Sequence, residues 1–139
     1  MAVGNIRNAS TYENSWWDWA PLNSCFGTTG IHVSDQDGEV ERKGNFLSFE
    51  TKRPDEELEK GQDRLLRAKL ARGGWTVLII WGEKNLPIRY RLMFGRAVED
   101  GIGDWGAIRK RVHAWFEWAD THPWRNADGR TGNRTRDMR

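Results

Sequence analysis

The alternation of apolar and polar positions predicts four strands. Two alternating runs, residues 37–42 and 45–52, flank the turn signal Lys43-Gly44 and predict a β-hairpin. The dense apolar run over 75–81 predicts a strand that is buried on both faces. Residues 88–94 alternate again, which predicts a half-exposed strand with arginines on an outer face. The two later strands follow a long helical pattern, so the sheet is expected to mix strand directions.

Helical spacing of apolar residues predicts three helices, over 10–19, 56–72 and 105–119. A capping-box pattern opens the first helix, and Gly73-Gly74 ends the second. Residues 23–31 are rich in Gly, Thr, Ser and Asn and indicate a loop. The order helix, hairpin, helix, strand, strand, helix predicts an α/β fold with a central mixed β-sheet flanked by helices.

The predicted hairpin carries a charged face. A two-residue turn at Lys43-Gly44 places residues whose numbers sum to 87 opposite each other, so Val40 faces Leu47 and Asp37 faces Glu50. Alternation then puts six polar side chains and only one apolar side chain on one face. These residues are Asp37, Glu39, Glu41, Ser48, Glu50 and Lys52, with Phe46 as the apolar member. Such a face is either solvated or a functional site.

Length and composition suggest one domain of moderate size. The 139 residues are expected to form a single domain over 1–124, followed by a basic, disordered tail over 125–139. Cys25 is the only cysteine, which excludes an intrachain disulfide, and the three histidines have no zinc-like spacing. The longest apolar stretch, Val77–Trp81, is too short to span a bilayer, and no signal-peptide pattern opens the chain. We therefore expect a cytoplasmic protein with no membrane partner.

The charge is distributed unevenly along the chain. Residues 84–139 contain 12 basic and 7 acidic residues, which gives +5, so the net charge of +2 leaves −3 for residues 1–83. This asymmetry suits a protein that holds a cation in one place and a polyanion in another. The residues predicted to contact phosphates are Arg89, Arg91, Arg96, Arg109, Lys110 and Arg111. The alternative is that these cations solvate the surface or pair with acidic neighbours such as Glu99 and Asp104.

Asp37, Glu50 and Lys52 together suit phosphodiester hydrolysis. Mg²⁺ is held by few protein carboxylates, because waters and phosphate oxygens complete its octahedron. Side chains directly opposite each other in a hairpin have Cβ atoms about 4.5–5.5 Å apart, so Asp37 and Glu50 could share one ion. Lys52 follows on the same face, where its ammonium group can orient the attacking water.

The pattern D-x(12)-E-x-K, with E-x-K at the end of an apolar strand, resembles the PD-(D/E)XK nuclease superfamily. The nearest likenesses are Holliday junction resolvases, VRR-NUC domains and small phage-encoded nucleases. The resemblance covers about residues 32–81, including Gly61-Gln62 and the strand VLIIW. It departs from the family at Gln36, which stands where the family has proline. It implies a restriction-endonuclease-like core.

The resemblance also assigns roles to individual residues. Asp37 and Glu50 would bind the metal and Lys52 would assist the water, while Gln62 would reach the site from the next helix. The helical spacing of Gln62 independently points it towards the sheet, where it either joins the site or bonds a backbone group. Glu13 is a third candidate metal ligand, with a structural capping role as the alternative. Asp35 would replace Asp37 if the register slipped.

Together these features predict a Mg²⁺-dependent nuclease, with Mn²⁺ as a substitute, that hydrolyses phosphodiester bonds of DNA. Branched or structured DNA is one candidate substrate, and linear DNA is the other. A homodimer is a candidate assembly. The first alternative is a non-catalytic DNA-binding phage accessory protein with the same fold. A second alternative is a protein-interaction module that uses some of the nine tryptophans.

Overall fold

The structure, a computed structural model, describes Trp17, residues 20–33 and residues 37–125. The chain divides into two compact units, Met1–Asp35 and Gln36–Arg139. The predicted helix over 10–19, apart from Trp17, lies outside the described residues, as do the candidate ligands Glu13 and Asp35 and the predicted tail beyond Arg125.

The described part of the first unit contains a 3₁₀ helix, Ala20–Phe26. The expected loop over 23–31 therefore begins only after Phe26. Pro21 sits at the second position of this helix, where its fixed φ is tolerated and its missing N–H costs nothing. Cys25 is exposed on it.

The described part of the second unit is a mixed sheet with a helix on each face, as the sequence predicts. Its five strands follow one another in chain order, and only the second and third run parallel. The elements are β1 (Gly38–Arg42), β2 (Asn45–Lys52), α1 (Lys60–Arg72), β3 (Trp75–Glu83), β4 (Leu86–Phe94), β5 (Ala97–Ile102) and α2 (Trp105–Thr121). The crossover from β2 to its parallel neighbour β3 is made by α1, as a parallel pair requires.

The register of the β1–β2 hairpin is confirmed. Val40 faces Leu47 and Glu39 faces Ser48. Lys43 has a φ of 52° and Gly44 a φ of 84°, so both turn residues adopt the left-handed conformation that a tight two-residue hairpin needs. The Ser48 hydroxyl donates to Glu39 Oε2 at 2.9 Å, which places both side chains on one face of the hairpin.

Each face of the sheet has its own apolar core. On the α1 face, Leu66 and Leu70 pack against the strand residues Val77, Ile79, Trp81 and Met93. On the α2 face, Leu78 and Ile80 of β3 pack with Ile108 and Trp115 of α2. Because β3 contributes to both cores, its residues 76–81 are all buried, as the apolar run predicts.

The strand β4 is half-exposed as the sequence predicts, but its basic face is not an outer one. Arg89, Arg91 and Met93 share the face that α1 covers, and Met93 is only 1% exposed. The two arginines are accordingly half-buried. Periodicity identifies which residues share a face, but it cannot tell that a helix from elsewhere in the chain packs over that face.

Strand β5 has no counterpart in the sequence analysis. Its sequence, AVEDGI, contains Glu, Asp and Gly, which are all uncommon in strands. Glu99 forms an ion pair with Arg111 of α2, and Asp100 forms one with Arg91 of β4. The strand tolerates these acidic residues because each of them pairs with a cation, one on each face of the sheet.

We predict that Gly73→Ala destabilises the fold by about 1–3 kcal/mol. Gly73 has a φ of 86°, and a Cβ there would lie 2.6 Å from Cη2 of Trp124. The indole cannot easily move away, since Trp124 N donates to Lys43 O at 3.0 Å. Urea unfolding measures the loss. The control is Gly61→Ala on α1, where an added Cβ meets nothing within 4 Å; it should be neutral or slightly stabilising. Equal stability of the two variants would contradict the prediction.

Candidate active site

Two charged side chains are buried near the carboxyl end of β2. Glu50 is 6% exposed and Lys52 is 8% exposed. They pair in register with Ile79 and Trp81 of the parallel strand β3, so they lie on the α1 face. Ordinary core packing would place apolar residues at these positions, because charged residues are rarely so buried without a specific partner.

Gln62 of α1 reaches the Glu50 carboxylate. Its Nε2 donates to Glu50 Oε1 at 3.1 Å, which confirms that the Gln62 side chain points towards the sheet. The other end of the amide, Oε1, is buried and accepts no hydrogen bond from any described residue. Next to Glu50 there is therefore a second oxygen that is free to bind a donor or a cation.

The environment of Glu50 favours its neutral form. Burial is the main reason that the pKa of Glu50 is raised, and the negative charge of Asp37 raises it further. The charges of Lys52 and Lys69 and the hydrogen bond from Gln62 lower it, but they do not cancel the rise. An additional cation beside Glu50 would stabilise the carboxylate.

Lys52 has a partner that the sequence analysis missed. Its Nζ lies 3.6 Å from Oε2 of Glu56, while Glu56 Oε1 accepts from the backbone N–H of Arg53 at 3.0 Å. That backbone hydrogen bond is the main reason that the pKa of Glu56 is lowered. Glu56 thus remains charged, and its carboxylate holds the Lys52 ammonium group in place.

The same residue explains why α1 begins later than predicted. The expected helix starts at Glu56, but the observed helix starts at Lys60. The carbonyl oxygen of Glu56 accepts from Trp81 Nε1 at 2.7 Å, and Glu56 N donates to Arg53 O at 3.0 Å, so the segment is held in a turn outside the helix. The acidic residues near Pro54 suggested a helix start, and no local pattern reveals a bond to a strand 25 residues later.

Asp37 lies one residue before β1 and is exposed. The register of the hairpin, which ends with Gly38 opposite Phe49, leads to Glu50 as its neighbour. Its Oδ2, however, accepts from Thr51 N at 2.8 Å and from Thr51 Oγ1 at 3.0 Å. The structure therefore brings Glu50, Lys52 and Gln62 together, with Asp37 close enough to act on Glu50 through its charge while bonded to Thr51.

The donors around Glu50 fit Mg²⁺ better than a metal that needs a full protein cage. Among the described residues, no group of three or more His, Cys, Asp or Glu side chains could hold a metal ion. Mg²⁺ is usually bound through one or two carboxylates, with waters and substrate phosphates as the remaining ligands. Glu50 supplies one carboxylate with the open oxygen of Gln62 beside it, whereas Oδ2 of Asp37 is bonded to Thr51, so Asp37 has Oδ1 left as a ligand.

The six cations predicted to contact phosphates are divided between the two faces of the sheet. Arg89 lies over the Trp81 ring at 3.9 Å and donates to Pro54 O, on the α1 face beside Lys52. Two of the others are paired with acidic residues: Arg91 with Asp100, and Arg111 with Glu99. The remaining three are exposed and form no ion pair with the described residues: Arg96, Arg109 and Lys110.

A cleft of about 440 Å³ opens where β2 and β3 end. Its walls are formed by the paired residues Lys52 and Glu56, by the turn between β3 and β4, and by the first residue of α2. The residues that line it include Lys52, Arg53, Glu56, Glu83, Lys84 and Trp105. Clefts beyond the carboxyl ends of parallel strands are common ligand sites in α/β proteins.

Comparison of the chain with protein-family models, with curated proteins and with solved structures finds no match. Within residues 17, 20–33 and 37–125, no helix is long and apolar enough to cross a membrane.

Proposed function

We propose that this chain is a Mg²⁺-dependent nuclease that hydrolyses phosphodiester bonds of DNA, in particular branched or structured DNA. The observation that supports this proposal most strongly is the burial of Glu50 and Lys52, which are 6% and 8% exposed, at the end of a parallel strand pair. A carboxylate and an ammonium group in such a place lose solvation, which is a cost that structural residues seldom carry. A buried carboxylate whose pKa is raised, as that of Glu50 is, is typical of functional sites.

Each residue of the cluster has a role in hydrolysis. Asp37 and Glu50 would hold the ion, which when bound polarises the phosphate and acidifies a water. Gln62 orients Glu50 through the bond from Nε2 to Oε1. Lys52, anchored by Glu56, donates a hydrogen bond to the attacking water and offsets the negative charge that grows on the phosphate.

The reaction adds one water across a phosphodiester bond. The water oxygen bonds to phosphorus, the bond from phosphorus to one sugar oxygen breaks, and that oxygen takes up a proton. The products are a phosphomonoester and a free hydroxyl group. The exposed cations Arg96, Arg109 and Lys110 would contact backbone phosphates and so add affinity without sequence preference.

The proposal extends to the setting of the reaction. DNA is the proposed partner, the cytoplasm the proposed location, and Mn²⁺ a proposed substitute for Mg²⁺. A homodimer belongs to the same proposal, because two copies would offer one site for each of two strands of a branched substrate.

The test is an incubation of the full chain with labelled linear, nicked and four-way-junction DNA, in Mg²⁺ and in EDTA. Cleavage should require Mg²⁺, and Mg²⁺ without DNA should raise the melting temperature, because the ion binds the folded site. Glu41→Gln is a control outside the cluster, since Glu41 is exposed and accepts from Gly44 N at 2.7 Å; it should cleave normally. DNA binding without cleavage, and without stabilisation by Mg²⁺, would refute the proposal and favour a non-catalytic DNA-binding protein.

A further inference from the structure

We propose that Trp105 is a stacking platform for an unpaired deoxynucleotide, so that a single strand enters the cleft and passes towards Lys52. Trp105 is the first residue of α2 and lines the cleft together with Lys52 and Glu56. The inference rests on the proposed function for the choice of DNA as the ligand and for taking this strand to be the one that is cleaved.

The indole of Trp105 is both exposed and held in place. The residue is 48% exposed, and among the described residues it belongs to neither apolar core. Its Nε1 donates to Asn85 O at 2.9 Å, which ties the ring to the turn between β3 and β4. Asp104 caps the helix at this point by accepting from Gly106 N at 2.9 Å. A large aromatic ring whose polar atom is already bonded offers its remaining surface to an apolar or aromatic ligand.

The size of the cleft selects an unpaired strand. A volume of about 440 Å³ is at the lower end of ligand-sized clefts. This volume is comparable to that of roughly one or two nucleotides, which suits a single strand better than a duplex. Single strands are bound by aromatic rings that stack on bases next to cations that follow the backbone, and every base can stack in this way.

Cations for the backbone lie on the walls of the same cleft. Arg53 follows Lys52 at the end of β2, and Lys84 lies in the turn that holds Trp105. Lys84 forms no ion pair with any described residue, so its ammonium group is available to a phosphate. The acidic residues of the walls, Glu56 and Glu83, are fewer, and Glu56 is already opposite Lys52. A polyanion can therefore approach along this wall.

The test compares Trp105→Phe with Trp105→Leu in the full chain. Both variants lose the indole N–H and its bond to Asn85, so they differ mainly in whether an aromatic face remains. The probe is a fluorescein-labelled oligothymidine, and its affinity is measured by anisotropy in EDTA, where no cleavage occurs. We expect Trp105→Leu to bind about 5- to 150-fold more weakly than the wild type, while Trp105→Phe stays within roughly threefold of it. Phe116→Ala is a matched control, since Phe116 lies on the same helix, is 42% exposed and does not line this cleft.

The outcomes separate this inference from the proposed function. Equal losses in Trp105→Phe and Trp105→Leu would show that only the bond to Asn85 matters and would overturn the inference, as would unchanged affinity in both. A duplex of the same sequence should bind with little dependence on residue 105; equal dependence would also overturn it. Aromatic-dependent binding of the oligothymidine without any Mg²⁺-dependent cleavage would support the stacking site while refuting the nuclease. Thermal unfolding of each variant verifies that the affinities refer to folded protein.

Discussion

Replacing Glu50 by glutamine should abolish Mg²⁺-dependent cleavage and at the same time stabilise the protein without metal. The carboxylate is buried, and its pKa is raised by burial and by Asp37. Its ionised form therefore destabilises the folded state at neutral pH. A neutral amide removes the buried negative charge. It can also donate to the buried Oε1 of Gln62, which lacks a partner among the described residues. We expect activity to fall by at least roughly 100-fold and the free energy of unfolding to rise by about 0.5–2 kcal/mol.

The stabilisation that Glu50→Gln provides should increase as the pH rises. Below the ordinary glutamate pKa of 4.5, Glu50 is protonated in both the folded and unfolded states, so the substitution should change stability little. As the pH rises through the raised pKa of the folded state, the wild type loses stability and the variant does not. The difference between their free energies of unfolding, measured in urea at about pH 4 and pH 7, should therefore grow with pH. A constant difference would contradict the burial of an ionised Glu50.

Asp37→Asn provides the comparison for this result. It should also remove cleavage, but it should destabilise the protein, by about 1 kcal/mol, because an uncharged amide oxygen accepts the two hydrogen bonds from Thr51 more weakly than the carboxylate does. Opposite effects on stability together with the same effect on activity would distinguish the two proposed metal ligands. A gain in stability from Asp37→Asn would mean that repulsion with Glu50 outweighs the bonds to Thr51.

Lys52→Met should reduce cleavage by about 10²- to 10⁴-fold and should leave Mg²⁺ binding in place. Methionine matches the length and packing of the buried lysine but lacks the ammonium group that is proposed to contact the attacking water. It also removes an attractive charge from Glu50, so the pKa of Glu50 should rise further and the protein should be less stable at neutral pH. Cleavage rates and the thermal shift in Mg²⁺ measure the two effects separately.

A double-mutant cycle tests the link between the two residues. In the background of Glu50→Gln no buried negative charge remains beside Lys52, so adding Lys52→Met should cost less stability than it costs in the wild type. Equal costs in the two backgrounds would mean that Lys52 interacts only with Glu56. Full cleavage by Lys52→Met would remove Lys52 from the proposed chemistry.

The sequence predicted those parts of the fold that depend on local order. The turn at Lys43-Gly44 and the alternation around it gave the hairpin register, and the apolar run over 75–81 gave the central strand. The same alternation, with the helical spacing of Gln62, brought Glu50 and Gln62 together. In each case either the interacting residues are close in the sequence or the apolar pattern of the segment is strong.

The remaining features depend on contacts between distant segments. Strand β5 has a weak strand pattern and gains partners only when Arg91 and Arg111 face it from two other elements. The non-helical segment around Glu56 is held by Trp81, and the Asp37 carboxylate is held by Thr51. No periodicity encodes such bonds, because they form between side chains and backbone groups that meet only in the folded chain.

The residues that follow α2 close the fold late in its formation. Trp124 covers the glycines at the hairpin turn and at the end of α1, and its N–H bonds to Lys43. Asn45 Nδ2 donates to His122 O at 2.8 Å, a contact that spans 77 positions of the chain. On a ribosome, the hairpin that carries Glu50 would emerge well before these partners, so it cannot acquire its native surroundings until the segment near Trp124 has been synthesised. Contacts of such long range slow folding, and we expect the turn end of the hairpin to become rigid only in the last step.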